Sequence, residues 1–163
     1  MKIKLFVLIL ALSFSLLTCD HGIGPSNIKL KTGISGTIYY SNWAAADSIY
    51  LLKAVFFKTF PPISISAEIL SGNAPIYPVA LAEGLPVNVL STPYEIVLEP
   101  DTIKYISVAQ QYGPNVLADW RSVGQYNIVP ADSLPDSVIV YPDSMLQNID
   151  IFVDFNDLPI QPF

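Results

Sequence analysis

The chain has 163 residues, 52% of them hydrophobic and 13% charged, with 8 basic and 14 acidic side chains and a formal net charge of −6. That length is one domain's worth. The acidic balance argues against nucleic acid as a partner, because such binding depends on neutralising phosphates, and it gives no electrostatic attraction to an anionic membrane surface.

The first residues differ in character from the rest. Lys2 and Lys4 head an apolar run over residues 5–17, interrupted by Ser13 and Ser15, and Thr18 and Cys19 follow. A basic head before a short apolar run is the layout of a secretory signal. The run is short for a membrane span, which takes about 20 apolar residues; an uncleaved N-terminal anchor is the rival reading. Cys19 is the only cysteine, so no intramolecular disulfide forms. The segment Leu16-Leu17-Thr18-Cys19 resembles the lipobox of bacterial lipoproteins, in which a Leu stands three residues before the modified Cys. Thr18 departs from the Gly, Ala or Ser more usual there. The resemblance implies a signal peptide over residues 1–18 and an acylated Cys19 that attaches the chain to a membrane of the bacterial cell envelope. Acyl chains at one terminus supply the two or more hydrophobic signals that stable anchoring takes. Residues 19–31, with Gly22, Gly24, Pro25 and Asn27 and no hydrophobic period, read as a flexible tether.

From residue 32 to 163 the pattern is that of a single β domain. Residues 33–40 alternate, with Ile34, Ile38 and Tyr40 on one side and Ser35, Thr37 and Tyr39 on the other. Residues 48–58 form an apolar run without alternation, as expected of a central strand buried on both faces or of a strand with a bulge. Ala44 to Ala46 raise a helix as its rival, and Pro61-Pro62 end the run. Residues 63–88 read as a long connection, in which 80–85 has room for a helical turn or two. Residues 94–99 alternate again, Pro100-Asp101-Thr102 has turn chemistry, and 103–111 reads as the returning strand of a hairpin. Residues 112–137 read as a second long connection. A short apolar piece at 138–141 and one or two helical turns at 144–148 follow. The last strand, 149–155, places Ile149, Ile151, Val153 and Phe155 inward and Asp150 and Asp154 outward, the alternation of a half-buried antiparallel strand. The 14 prolines leave little room for long helices.

Three segments carry a family likeness. Gly33-Ile34-Ser35-Gly36-Thr37-Ile38, the stretch from Tyr94 through Pro100-Asp101-Thr102 to Tyr105, and Ile149-Asp150-Ile151-Phe152-Val153-Asp154-Phe155 resemble the first strand, a central turn and the last strand of transthyretin-like (prealbumin-like), or carboxypeptidase-regulatory-like, domains. Asp101 stands where those domains usually have Gly. The resemblance implies an all-β, antiparallel β-sandwich with one or two short helical turns, in a group of mostly non-catalytic accessory modules. A fold shared by many functions gives no function by itself.

Catalytic devices find few candidates. His21 is the only histidine and lies in the tether, so a rigid triad or a zinc set has nothing to build on. Asp132, Asp136 and Asp143 are oxygen ligands in a Pro-rich stretch, as Ca²⁺ would need, yet their spacing matches no calcium loop and each precedes a Ser as in ordinary turns. Glu68, Glu83, Glu95 and Glu99 offer no marked pair for glycoside hydrolysis. No cofactor motif is present. Aromatics are more suggestive. Trp120, Arg121 and Tyr126 fall within one connection and belong to the types enriched at binding hot spots; Trp43 with Tyr39 and Tyr40 is a second such group. The competing expectation is that these rings plug the core. The sequence therefore reads as a non-catalytic, lipid-anchored envelope module that binds a protein or a glycan, or holds an assembly at the membrane. A small envelope hydrolase using loop carboxylates is the alternative.

Overall fold

The computed structural model describes residues 30–129 and 134–162. Ten strands lie along the described chain: β1 (Gly33–Ser41), β2 (Leu51–Phe57), β3 (Ile76–Tyr77), β4 (Ser91–Val97), β5 (Asp101–Ile103), β6 (Tyr105–Gln111), β7 (Trp120–Gln125), β8 (Val138–Val140), β9 (Met145–Leu146) and β10 (Ile151–Asp154). One helix, α1 (Ile65–Leu70), and a 3-10 turn at Ala46–Ser48 complete the elements. The main sheet runs β3-β2-β6-β7-β10-β1-β4, with β9 also on β1, and β5 pairs β8 apart from it.

The sheet curls so that β1, β4 and β10 face β2 and β6 across one core. Ile34, Ile38, Tyr94, Ile96, Ile151 and Val153 pack there against Leu52, Ala54, Phe56, Ile106 and Val108. Tyr77 on β3 lies 6.1 Å from Tyr94 on β4, ring centre to ring centre, so the two ends of the sheet approach each other. The β5–β8 pair adds Ile103, Val138 and Val140 to this core. A second, smaller core lies on the outer face of β2 and β6, where Val55, Phe57, Tyr105 and Ala109 are covered by Ile65 of α1, Ala74 and Ile76. This is why 48–58 lacks alternation: β2 and β6 are buried on both faces.

The architecture is mostly β and sandwich-like, and it corrects the expectation of a purely antiparallel sheet. β10 runs parallel to β1, from Ile38↔Ile151 to Ser41↔Asp154, and β9 is parallel to β1 as well. The inward and outward residues of 149–155 are as the alternation requires, because alternation reports which face is buried and carries no information on strand direction. The hairpin expected over residues 94–111 does not form. β4 pairs β1 and β6 pairs β2, while β5 pairs β8 and the Lys104 N–H, bonded to the Phe57 carbonyl, hands the chain to the other half of the sheet. The two strands have different burial, one face of β4 against both faces of β6, and each sits where its burial is met.

The helical expectations shift too. Residues 144–148 hold β9 and then a turn with Asn148 at φ 62°, after which the Ile149 N–H bonds to the Ser35 carbonyl. This crossing lies so close to β1 that a Cβ on Gly36 would strike the Ile149 backbone. Residues 80–85 make a single turn, and the Leu85 N–H bonds to the Leu52 carbonyl. The helix forms instead within 63–88, where Ser64 caps it by accepting the Ala67 N–H at 3.1 Å. The 112–137 connection contains β7, which pairs β6 with a bulge between Val108 and Ala109. The open edge of β4 is blunted by Pro93, which has no N–H, and by the exposed Lys31–Glu95 ion pair.

Truncating fully buried Ile151 to Ala should cost about 2–5 kcal/mol, whereas Phe152→Ala, its outward neighbour, should stay within about 1 kcal/mol; urea melts of the two variants test the register. Burial pushes the hydroxyls of Tyr40, Tyr94 and Tyr105 above the ordinary tyrosine value. The folded state thus holds these protons more tightly than the unfolded chain. Their contribution to stability is complete below about pH 10 and is lost as pH rises through the raised folded values. The urea midpoint should fall above about pH 10; a midpoint that stays flat there would contradict the burial of these rings.

Candidate functional site

Trp120, Arg121 and Tyr126 do not form one surface. Trp120 opens β7 and packs against the outer core, with its Nε1 donating to the Val116 carbonyl at 2.8 Å. Arg121, next in the strand, faces the other way. Its Nε donates to Gln110 Oε1 at 2.9 Å and its guanidinium lies 5.6 Å from the Tyr112 ring centre. Tyr126 packs against the inner core, and its hydroxyl is pushed up by burial and by the nearby charges of Asp136 and Asp150. Trp43 closes one end of the inner core, between Tyr40 at 4.7 Å and Phe155 at 4.9 Å, with its Nε1 on the Val89 carbonyl.

Trp120 does line an apolar cleft of about 270 Å³ between α1, β2, β3 and the 113–119 turn. Ile69 and Ile76 form one wall, Leu51 and Trp120 another, and Leu70, Leu81, Val116 and Leu117 stand at its rim, each more than half exposed. The local sequence explains the shape. Asp119 holds the turn by accepting the Asn115 N–H at 2.8 Å, and the Ser66 hydroxyl donates to the Leu117 carbonyl at 2.6 Å, which fastens α1 to it.

One cation lies in the cleft wall. Lys53, on β2, is 1% exposed and its Nζ donates to the carbonyls of Pro78 and Ala80 at 2.8 and 2.5 Å. Burial pushes its pKa down, and the Glu83 carboxylate partly offsets this. The ammonium is thus spent on fixing the chain after β3. Gln111 Nε2 is likewise spent on the Gly113 carbonyl. The cleft presents a greasy interior whose Lys, Ser and Gln donors bond to the protein itself. Sequence reasoning found Trp120 but missed the rest of the lining, because Leu51, Ile69 and Leu81 are far apart in the chain and their convergence depends on where α1 forms.

Among the described residues Glu68 is the only buried acid. Its Oε1 accepts from the Thr59 hydroxyl at 3.2 Å and the Ile63 N–H at 3.3 Å, which ties the chain before α1 to the helix. No group of three or more His, Cys, Asp or Glu side chains placed to hold a metal occurs among the described residues. Asp136 accepts the Ile128 N–H, and the Asp143 N–H donates to Thr32 Oγ1, so both serve turns. Asp132, Cys19 and His21 lie outside the described residues. Compared with protein-family models, curated proteins and solved structures, the chain has no match. No helix among the described residues is long and apolar enough to cross a membrane.

Replacing Lys53 with Met keeps the apolar stem and removes the charged donor of the Pro78 and Ala80 carbonyls, so stability should fall by about 1–3 kcal/mol. Trp120→Ala should cost about 2–3 kcal/mol, less than the 3–5 of a fully buried aromatic, because Trp120 is only partly buried. Thermal melts of both variants check this; an unchanged melt for Lys53→Met would refute the tie to Pro78 and Ala80.

Proposed function

We propose that the chain is a non-catalytic binding module of the bacterial cell envelope, held to a membrane by acylated Cys19, and that its cleft beside Trp120 takes a large apolar side chain from a partner protein. The observation that carries this reading is the exposed rim of Leu70, Leu81, Val116 and Leu117 around an apolar hole. Contiguous exposed apolar surface of this kind is costly unless something covers it. The volume, about 270 Å³, falls just below the usual range for small-molecule pockets, roughly 300–1,000 Å³, and suits an inserted anchor residue. A glycan is the poorer occupant. Sugars need directed polar contacts, and the donors of Lys53, Ser66 and Gln111 are already engaged.

The hydrolase alternative finds less support, since Glu68 is engaged by Thr59 and Ile63 and Glu95 is paired with Lys31. Kinship with transthyretin-like domains belongs to this proposal. Its support is the placement of the Gly33 and Ile149 segments as neighbouring strands, and the parallel pairing of β1 with β10 weighs against a strictly antiparallel member.

Mass spectrometry of the mature protein should find an acylated N-terminus at Cys19, and Cys19→Ala should release the protein from membranes with its melting temperature intact. A photo-crosslinker at Leu81 should give a protease-sensitive adduct in native envelopes. Leu117→Asp should abolish that adduct without changing stability by more than about 0.5 kcal/mol. An adduct that survives Leu117→Asp, or one insensitive to protease, would overturn the cleft as a protein-binding site.

A further inference from the structure

A second constellation lies elsewhere on the surface, separate from the cleft. On the outer side of β1 and β10, Tyr39 and Phe152 are register partners whose rings stack 5.3 Å apart and 14° from parallel. Both are exposed, by 41% and 67%. Two residues further along the strands the same face carries Ser41 and Asp154, also register partners. Asp154 is fixed in place. Asn42 Nδ2 reaches both its oxygens at 2.9 Å, and the Asn156 N–H donates to Oδ1 at 2.9 Å. These donors, Asn42 first, hold its carboxyl below the usual carboxylate range, so it is ionised at neutral pH. The Asp157 N–H bonds to the Asp154 carbonyl, and Asp157 lines the same hollow, about 400 Å³, together with Tyr39, Ser41 and Phe152.

Among the described residues no basic side chain lines this hollow. Lys31 pairs with Glu95, Lys58 with Asp101, Lys53 is tied to carbonyls and Arg121 to Gln110, and Lys104, before β6, does not line the hollow. Two acidic residues beside two exposed aromatic residues therefore stand without a cation of their own among the described residues. A guanidinium answers both features. Its planar, weakly hydrated face stacks on aromatic rings and its edge presents paired donors to a carboxylate, and a cation within about 6 Å of a ring centre is attracted to the ring's face.

We propose that the Tyr39–Phe152 hollow receives an arginine side chain of a partner protein, with the guanidinium against the exposed rings and its N–H groups on Asp154 and Asp157. A neutral pyranose would use the same rings and acceptors, but its binding would not depend on the charge. The two occupants are separable on that ground.

The test is an NMR titration of the mature protein with three probes: a short arginine-bearing peptide, the same peptide with citrulline in place of arginine, and a neutral disaccharide. The arginine peptide should shift the amide signals of Tyr39, Phe152 and Asp154. The shifts should weaken with added salt, as a solvent-exposed charge pair must, and vanish in Phe152→Ala and in Asp154→Asn. Asp157→Asn serves as a second charge variant in case the loss of Asp154 disturbs the Asn42 turn. The citrulline peptide and the disaccharide should leave these signals in place. Shifts caused by the disaccharide that persist in both Asn variants would replace the arginine site with a sugar site. Silence toward all three probes would reduce the ring pair to cross-strand packing.

Discussion

Strands β2 and β6 pair over seven residues, from Leu51↔Gln111 to Phe57↔Tyr105, and both faces of that pair are covered. The rest of the fold follows from that double burial. The inner face must be met by apolar residues from elsewhere, and the curl that brings β1, β4 and β10 over it supplies them. The outer face needs a cover of its own. Here α1, Ala74, Ile76 and Trp120 provide it, and the cover is incomplete. The cleft is the place where α1, only six residues long, runs out before the outer face does. Burying apolar surface is the dominant favourable term in folding, so a partly covered central pair with a greasy rim is a natural place for a partner.

Polar groups inside this frame are arranged to hold chain crossings. Lys53 fixes the segment after β3 through two carbonyls, and Glu68 fixes the segment before α1. The Tyr94 hydroxyl donates to the Ile149 carbonyl at 2.6 Å, which holds the turn between β9 and β10 against β4. Between β6 and β7, Tyr105, Ser107 and Ser122 share a buried hydroxyl network that ends on the Gly124 carbonyl. A buried polar group left unpaired costs about 1–3 kcal/mol, so these residues are bound to their crossings and are poor candidates for chemistry. The two serines are nearly inaccessible, at 1% and 0% exposure, which separates them from any substrate.

What the sequence made legible was local: which residues of a strand face inward, and which strand is buried twice. Ile149, Ile151, Val153 and Phe155 are inside because a period of two needs no knowledge of neighbours. Strand partners were not legible. Residues 94–111 look like a hairpin to any rule that pairs consecutive strands, yet β4 and β6 end on opposite halves of the sheet. β7 was hidden because Trp120-Arg121-Ser122-Val123-Gly124-Gln125 has polar residues at buried positions, where Ser122 is held by hydroxyls and by Gln161. The helix was hidden by its β-branched residues; its one local sign was Ser64 as a cap, three residues before Ala67, soon after Pro61-Pro62. Trp120 was picked out by type and does line the cleft, whereas Tyr126 and Arg121 share only its neighbourhood in the chain.

The C-terminal segment relates the two outer surfaces. β10 pairs β7 only through Phe152↔Gln125 and Val153↔Gly124, which leaves the backbone of Ser122 without a strand partner on that side. The side-chain amide of Gln161 fills the place: its Oε1 accepts the Ser122 N–H at 2.7 Å and its Nε2 donates to the Ser122 carbonyl at 3.0 Å, as a neighbouring strand would. The tail therefore runs alongside β7, at Ser122, beyond the stretch where β10 pairs it through Gln125, the register partner of Phe152. The apolar cleft and the aromatic, acidic hollow lie on the same outer side of one curled sheet. A partner that met both would have to offer an apolar anchor and a cation at a set separation. Such a pair of unlike contacts discriminates between partners better than either contact does by itself, because a wrong partner leaves the carboxylates or the greasy rim uncovered.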